Sequence, residues 1–108
     1  MKKNRSPEDF LPLTPATFHI LLALADRERH GYDVMREVDE RTEGKVRLGP
    51  GTLYGALSRL EASGQVEPLP AEGRRRPYRL TGAGKNALEQ RLGSLQRAVA
   101  AGVARVSA

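Results

Sequence analysis

The stretch Gly49-Pro50-Gly51-Thr52-Leu53-Tyr54-Gly55-Ala56-Leu57-Ser58-Arg59-Leu60-Glu61, followed by Gly73-Arg74-Arg75-Arg76-Pro77-Tyr78-Arg79-Leu80-Thr81, constrains this chain more than any other feature. Gly49-Pro50 suits a helix start, because proline has no N–H to leave unsatisfied in the first turn. Leu53, Leu57 and Leu60 then recur at four and three, the spacing of a single helical face. Burying that face turns Thr52, Tyr54, Ser58 and Arg59 outward. Ser63-Gly64 closes the helix. Gln65 to Pro70 and Pro77 to Thr81 read as two short strands, joined by the glycine- and arginine-rich loop Ala71 to Arg76. Pro68, Pro70 and Pro77 remove ladder donors, which predicts an edge hairpin and not a central sheet.

The rest of the chain adds three more helices. Residues 1–13 are broken by Pro7 and Pro12 and read as an arm whose Phe10, Leu11 and Leu13 pack onto the body. Thr14-Pro15 is a hydroxyl cap followed by proline at the first helical position. Phe18, Leu21, Leu22 and Ala25 form the apolar stripe of a helix expected to reach Glu28 or Arg29 before His30-Gly31 breaks it. A second helix is expected from Tyr32 to Thr42, with Val34, Met35 and Val38 inside and Gly44 ending it. Lys45-Val46-Arg47-Leu48 alternates and suits a short extended piece. Thr81 caps a last helix from about Gly82 to Arg105, along which Leu88, Leu92, Leu95, Val99, Val103 and Val106 repeat at close to seven residues. The fold class is mainly α with a small β-hairpin. The order of elements spells a winged helix-turn-helix over residues 14–81, preceded by the arm, with a C-terminal dimerisation helix over 82–108.

Composition narrows the chemistry. At 108 residues the chain is long enough for one domain with a modest core. It has no cysteine, which excludes a disulfide scaffold, a thiol nucleophile and a thiolate zinc site. Its two histidines lie apart, with no converging ligands, so no metal and no cofactor is expected. No nucleophile elbow, phosphate-cradling loop or HExxH occurs, so no enzymatic activity is expected. No apolar run approaches the roughly 18 residues of a membrane span, and no signal-peptide core follows the basic start; a cytoplasmic protein is expected. Net charge is +5, and the positive charge is sorted. Lys45, Arg47 and Arg59 flank and occupy the third helix and Arg74, Arg75, Arg76 and Arg79 the hairpin, while Asp33 to Glu43 is acidic. A basic balance suits an anionic partner.

The motifs Gly31-Tyr32, Gly51-Thr52-Leu53-Tyr54 with Leu57 and Leu60, and Tyr78-Arg79-Leu80-Thr81-x-x-Gly84, in that order from about Leu13 to Leu92, resemble the PadR family of transcriptional regulators. The resemblance implies a homodimeric winged-helix repressor on a palindromic operator, with the last helix exchanging contacts between subunits. It also implies release by a small apolar or aromatic effector between those helices. The chain departs from the family pattern at Gly55, where proline is usual, at Gly49, where a serine cap is common, and at Pro77, the first position of a usual aromatic pair. It has no tryptophan with which to sandwich a planar drug.

Roles follow from residue chemistry. The third helix offers Gly51, Thr52, Tyr54, Ser58 and Arg59 to phosphates or base edges, and the small residues at its start allow close approach. Arg74, Arg75 and Arg76 repel one another unless an anion lies nearby. Lys45, Arg47 and Tyr32 complete the expected DNA-binding set. Tyr54 is balanced between contact and packing, Tyr32 leans to structure, and Tyr78 to the core. The seam for self-association is Leu88, Leu92, Leu95, Val99, Val103 and Val106. A winged helix that binds protein and not DNA is the alternative from another class.

Overall fold

Thr14 starts the first helix by lending its hydroxyl to the backbone. In the computed structural model, which describes residues 13–108, that oxygen accepts from the Thr17 N–H at 3.1 Å, and Pro15 follows at the first helical position. Helix α1 spans Pro15–Leu24 and buries Thr17, Ile20, Leu21, Ala23 and Leu24. The expected stripe is corrected here: Phe18 and Leu22 are half-buried, and Ala25 is exposed beyond the helix end. The reason is that α1 is covered on several sides, by the three later helices and by the strand Pro77–Leu80, so a single stripe underestimates it. Phe10 and Leu11 lie outside the described residues; Leu13 packs against the core.

Helix α1 also stops earlier than its periodicity suggests. Arg29 donates from Nε to the Ala23 carbonyl at 2.6 Å, taking an acceptor left open at the helix end. Arg29–His30 is then free to form strand β1. The sheet has the order β1-β3-β2 and is antiparallel throughout. Strand β2 is Val66–Pro68 and β3 is Pro77–Leu80, with Val66 opposite Leu80, Pro68 opposite Tyr78 and His30 opposite Pro77. The hairpin is therefore not an edge pair: β3 is central. Pro77 is tolerated because it opens the strand, and its carbonyl still accepts from the Leu69 N–H at 2.9 Å.

Helix α2, Gly31–Arg41, buries Val34 and Val38. The following turn reverses the chain through two left-handed residues, Glu43 at φ 54° and Gly44 at φ 78°. Thr42 holds it together: its hydroxyl donates to the Val38 carbonyl at 2.7 Å and accepts from the Val46 N–H at 3.1 Å. Lys45–Leu48 is irregular and not an extended strand, since Thr42 takes the Val46 amide and only Leu48 is buried. Helix α3, Pro50–Ala62, buries Leu53, Ala56, Leu57 and Leu60.

Helix α4, Gly82–Ser107, is capped by Thr81, whose hydroxyl accepts from the Gly84 N–H at 3.1 Å and donates to the Gly64 carbonyl at 2.5 Å. Gly84 is buried against the Gln65 carbonyl so closely that a methyl group in its place would overlap that oxygen. One threonine and one missing side chain thus dock the start of α4 on the turn that follows α3. Leu88 is 4% exposed and belongs to the protomer's own core with Ile20, Leu21, Val34, Val38, Leu53 and Leu57. It does not belong to the expected outward seam, because its side chain is buried in the chain's own core, where α4 packs against α1. Beyond it Leu92, Leu95, Val99, Val103 and Val106 are exposed, the last at 86%. The radius of gyration, 15.5 Å, exceeds the ~13 Å of a compact chain of about this length because the end of α4 projects.

One histidine ties α1 to α2. Arg41 donates to His19 Nδ1 at 2.9 Å and to the His19 carbonyl at 3.2 Å, while Glu37 holds the guanidinium at 3.0 Å. Burial and then the Arg41 charge push the imidazole below its ordinary 6.5, with Glu37 partly opposing. The folded chain therefore binds that proton less readily than the unfolded chain. This contribution is intact above pH 6.5 and fades as pH falls through the unfolded histidine's range. Urea midpoints measured at falling pH should drop, and His19→Gln, which accepts from Arg41 without titrating, should flatten part of that drop.

The docking of α4 predicts a contrast between two glycines. Gly84→Ala should destabilise the protein by about 1–3 kcal/mol through overpacking. Gly55→Ala meets, among the described residues, the flexible Arg59 side chain at 3.7 Å, and should stabilise α3 by about 0.5–1 kcal/mol. Denaturation midpoints of the two variants check both signs.

Candidate nucleic-acid interface

The outward side of α3 follows from its buried side. With Leu53, Ala56, Leu57 and Leu60 in the core, Gly51, Thr52, Tyr54, Ser58 and Arg59 are left on the accessible side. Gly49 is the N-cap but offers no side-chain cap, and Pro50 contributes no N–H. The positive end of the helix dipole is therefore open. Among the described residues, and apart from the adjoining backbone, no atom lies within 4 Å of where a side chain would stand at Gly49 or Gly51.

Tyr54 is both surface and packing. It is 45% exposed, yet its ring lies over Gly31, where an added methyl group would come within 2.5 Å of the hydroxyl. The Gly31-Tyr32 motif is thereby explained. Residue 31 has no side chain because the α3 tyrosine occupies that space, and Tyr32 beside it is 57% exposed.

The wing, residues 69–76 between β2 and β3, turns at Gly73-Arg74. Glu72 and Arg75 bond each other's backbone, at 2.6 and 3.1 Å, across a turn whose first central residue, Gly73, has φ 64°. That geometry belongs to the hairpin turn that requires glycine at its first central position. Arg74 and Arg75 sit at this tip, exposed. Arg76 differs: it donates to the Leu69 carbonyl at 2.7 Å and braces the base of the wing. Arg79 is taken up by Glu67 across the strands.

The helical cations divide the same way. Arg47 pairs with Asp39 at 3.2 Å; Arg36 lies near Asp33 and Glu40. Lys45, Arg59, Arg74 and Arg75 make no ion pair among the described residues. The carboxylates near the wing are engaged as well, Glu67 by Arg79 and Glu72 by His30 at 2.7 Å. The last contact joins residues 42 positions apart and has no signal in the spacing of the sequence.

Tyr78 stands between α3 and the wing. Burial, then Glu61 and Tyr54, push its hydroxyl above the ordinary 10.0, with Arg76 opposing. It stays a neutral donor near neutral pH. No group of histidine or acidic side chains among the described residues could hold a metal ion. No helix among them is long and apolar enough to cross a membrane.

Comparison with known proteins agrees with this layout. The sequence model of the transcriptional regulator PadR-like family matches residues 20–90. The transcriptional regulator Rv3488 of Mycobacterium tuberculosis is 44% identical over 75 residues, 67% of this chain and 67% of that protein. A 37.1 kDa protein in transposon TN4556 of Streptomyces fradiae is 50% identical over 78 residues, which are 72% of this chain but only 22% of that protein. The structure of RosR from H. salinarum superposes with a TM-score of 0.69 at 27% identity, over 88% of this chain and 94% of that one. Helix order, a three-stranded winged sheet and a family match across most of the chain lead to one assignment: the chain belongs to the PadR-like family of transcriptional regulators.

Proposed function

We propose that the protein is a sequence-specific DNA-binding repressor that acts as a homodimer on a palindromic operator. The observation that carries this reading is the sorting of its cations. Around the reading helix and the wing, the cations not taken up by the chain itself are Arg74 and Arg75 at the wing tip and Lys45 and Arg59 beside the helix, while Arg47, Arg76 and Arg79 are held by the chain's own acceptors. Arg27, Lys85, Arg91, Arg97 and Arg105 also make no ion pair among the described residues, and they belong to neither element. In the proposed complex, Gly51, Thr52 and Ser58 bring α3 close to the major groove. Arg59 reaches a phosphate or a guanine edge, and the wing tip adds phosphate contacts. Arg47 and Arg76 serve mainly to hold the surface in shape.

The second copy is proposed to bind along α4. Leu92, Leu95, Val99, Val103 and Val106 leave a contiguous apolar face exposed, and faces of that kind mark association surfaces. Two-fold pairing would set the two α3 helices on successive major grooves, about 34 Å apart. The groove lined by Leu92, Leu95, Gln96, Val99 and Ala100 is the proposed place for an apolar or aromatic effector between the copies. The proposed division of the chain is an arm over 1–13, a DNA-binding domain over 14–81 and a dimerisation helix over 82–108.

Fluorescence anisotropy with a duplex from upstream of the protein's own gene tests DNA binding. Affinity should fall steeply with added salt. Converting Arg74 and Arg75 together to alanine should weaken binding and lower the log–log salt slope by about 0.9 for each phosphate no longer neutralised. A salt slope unchanged by the double substitution would remove the wing from the interface and favour the protein-binding alternative.

Light scattering tests the association. The native chain should show twice the 11.8 kDa of a single copy. Leu95→Glu with Val99→Glu should return it to a single copy without unfolding, since both side chains are solvent-exposed within the protomer.

A further inference from the structure

We propose that His30 is a positioning residue that latches the wing to the start of α2, and that protonation of its ring tightens the latch and strengthens DNA binding. The proposal rests on the DNA-binding reading above for its second half only. Its first half rests on geometry. His30 is the N-cap of α2 and gives its helix no side-chain cap bond. Its ring turns instead toward two carboxylates on different elements: Nε2 lies 2.7 Å from Glu72 of the wing, and Nδ1 lies 3.5 Å from Asp33 of α2. The backbone of Glu72 is one half of the bridge that shapes the wing tip, so fixing Glu72 fixes the base on which Arg74 and Arg75 stand.

The protonation state decides how many of these contacts the ring can serve. A neutral imidazole donates from one nitrogen only, whereas an imidazolium donates from both. Nε2 faces an acceptor oxygen at hydrogen-bond distance, so the neutral ring holds Glu72 and leaves Asp33 unserved. Adding the second proton makes the Glu72 contact charge-assisted and places a positive ring 3.5 Å from the Asp33 carboxylate. It also cancels the negative charge of Glu72 beside a surface meant for phosphates.

The surroundings allow it. His30 lines an open, charged cleft at the junction of α2, β1 and the wing. From α2 the cleft receives Asp33, Arg36, Glu37 and Glu40. The segment before β1 contributes Arg27 and Glu28, and β1 itself Arg29. The wing contributes Glu72, and β3 only the uncharged Pro77. Arg29 is held by the Ala23 carbonyl and Asp26, and Arg36 by Asp33 and Glu40, so neither competes for Glu72.

The test compares the native chain with His30→Gln and Glu72→Gln. The first keeps an amide donor toward Glu72 but cannot titrate; the second removes the wing carboxylate at an exposed position. Thermal melts verify that both fold. Binding to the upstream duplex is measured by anisotropy at about pH 6 and about pH 8, at constant ionic strength. The native chain should bind about two- to fivefold more tightly at the lower pH, the range of an exposed ion pair. Both variants should show a smaller ratio. A ratio unchanged by either substitution overturns the proposal. Amide exchange at Glu72 and Arg75 without DNA, corrected for intrinsic rates, separates the two halves. Protection that rises at the lower pH in the native chain alone supports the latch even if the duplex is not bound, in which case the DNA-binding reading fails. Equal protection in all three chains overturns the latch whatever the DNA result.

Discussion

The dipeptide His30-Gly31 sets how the reading helix and the wing stand relative to each other. Gly31 accepts the Tyr54 ring of α3 because it has no side chain. His30 holds Glu72 of the wing and pairs through its backbone with Pro77 of β3. Both contacts converge on the first turn of α2, which is anchored to the core by Val34 and Val38. The two surfaces proposed to meet DNA are joined through this one junction, so their relative geometry depends on it. A change at residue 31 that displaced Tyr54 would therefore alter a surface residue by way of a buried one.

The charge pattern has the same economy. The protein carries 18 basic and 13 acidic residues, and a simple count says only that it is basic. Pairing is more informative than the count. Arg29 and Arg76 terminate backbone carbonyls; Arg36, Arg41, Arg47 and Arg79 meet carboxylates. An arginine already hydrogen-bonded by its own chain has fewer donors for a phosphate, and moving it would expose a partner. Of the cations without an ion pair among the described residues, Lys45, Arg59, Arg74 and Arg75 sit near α3 and at the wing tip, and Arg27, Lys85, Arg91, Arg97 and Arg105 lie after α1 or along α4. This separates Arg74 and Arg75 from Arg76, which look equivalent as three letters in a row.

Much of the fold is legible in the sequence because local rules agree with tertiary structure. Thr14-Pro15, Gly49-Pro50 and Thr81 each mark a helix start that the structure keeps. The Leu53, Leu57 and Leu60 stripe is buried as its spacing requires. The failures share a cause: they depend on particular side-chain and strand contacts that no helix or strand periodicity encodes. Strand β1 is two residues long and exists only because β3 lies beside it. The early end of α1 depends on Arg29 reaching back to Ala23. Pro77 reads as an edge residue because its missing N–H is local, while its strand's two neighbours are not. Of the proposed site, the outward residues of α3 can be read from helical phase. The difference between available and engaged arginines cannot, since no spacing rule places Arg47 on Asp39 or His30 on Glu72.

The last helix is divided between two tasks. Leu88 is spent inside the chain's own core. The remaining positions, 92, 95, 99, 103 and 106, are spaced three, four, four and three. Leu92, Val99 and Val106 are therefore seven residues apart, so taking Leu88 out of the stripe leaves its seven-residue period intact. In the proposed dimer that period would keep the two apolar faces together only if the paired helices wound into a left-handed supercoil. Gly102 beside Val103 would leave room for close approach there. An effector at Leu95 and Val99, as proposed, would act on the pairing itself, since both side chains belong to the same exposed apolar face.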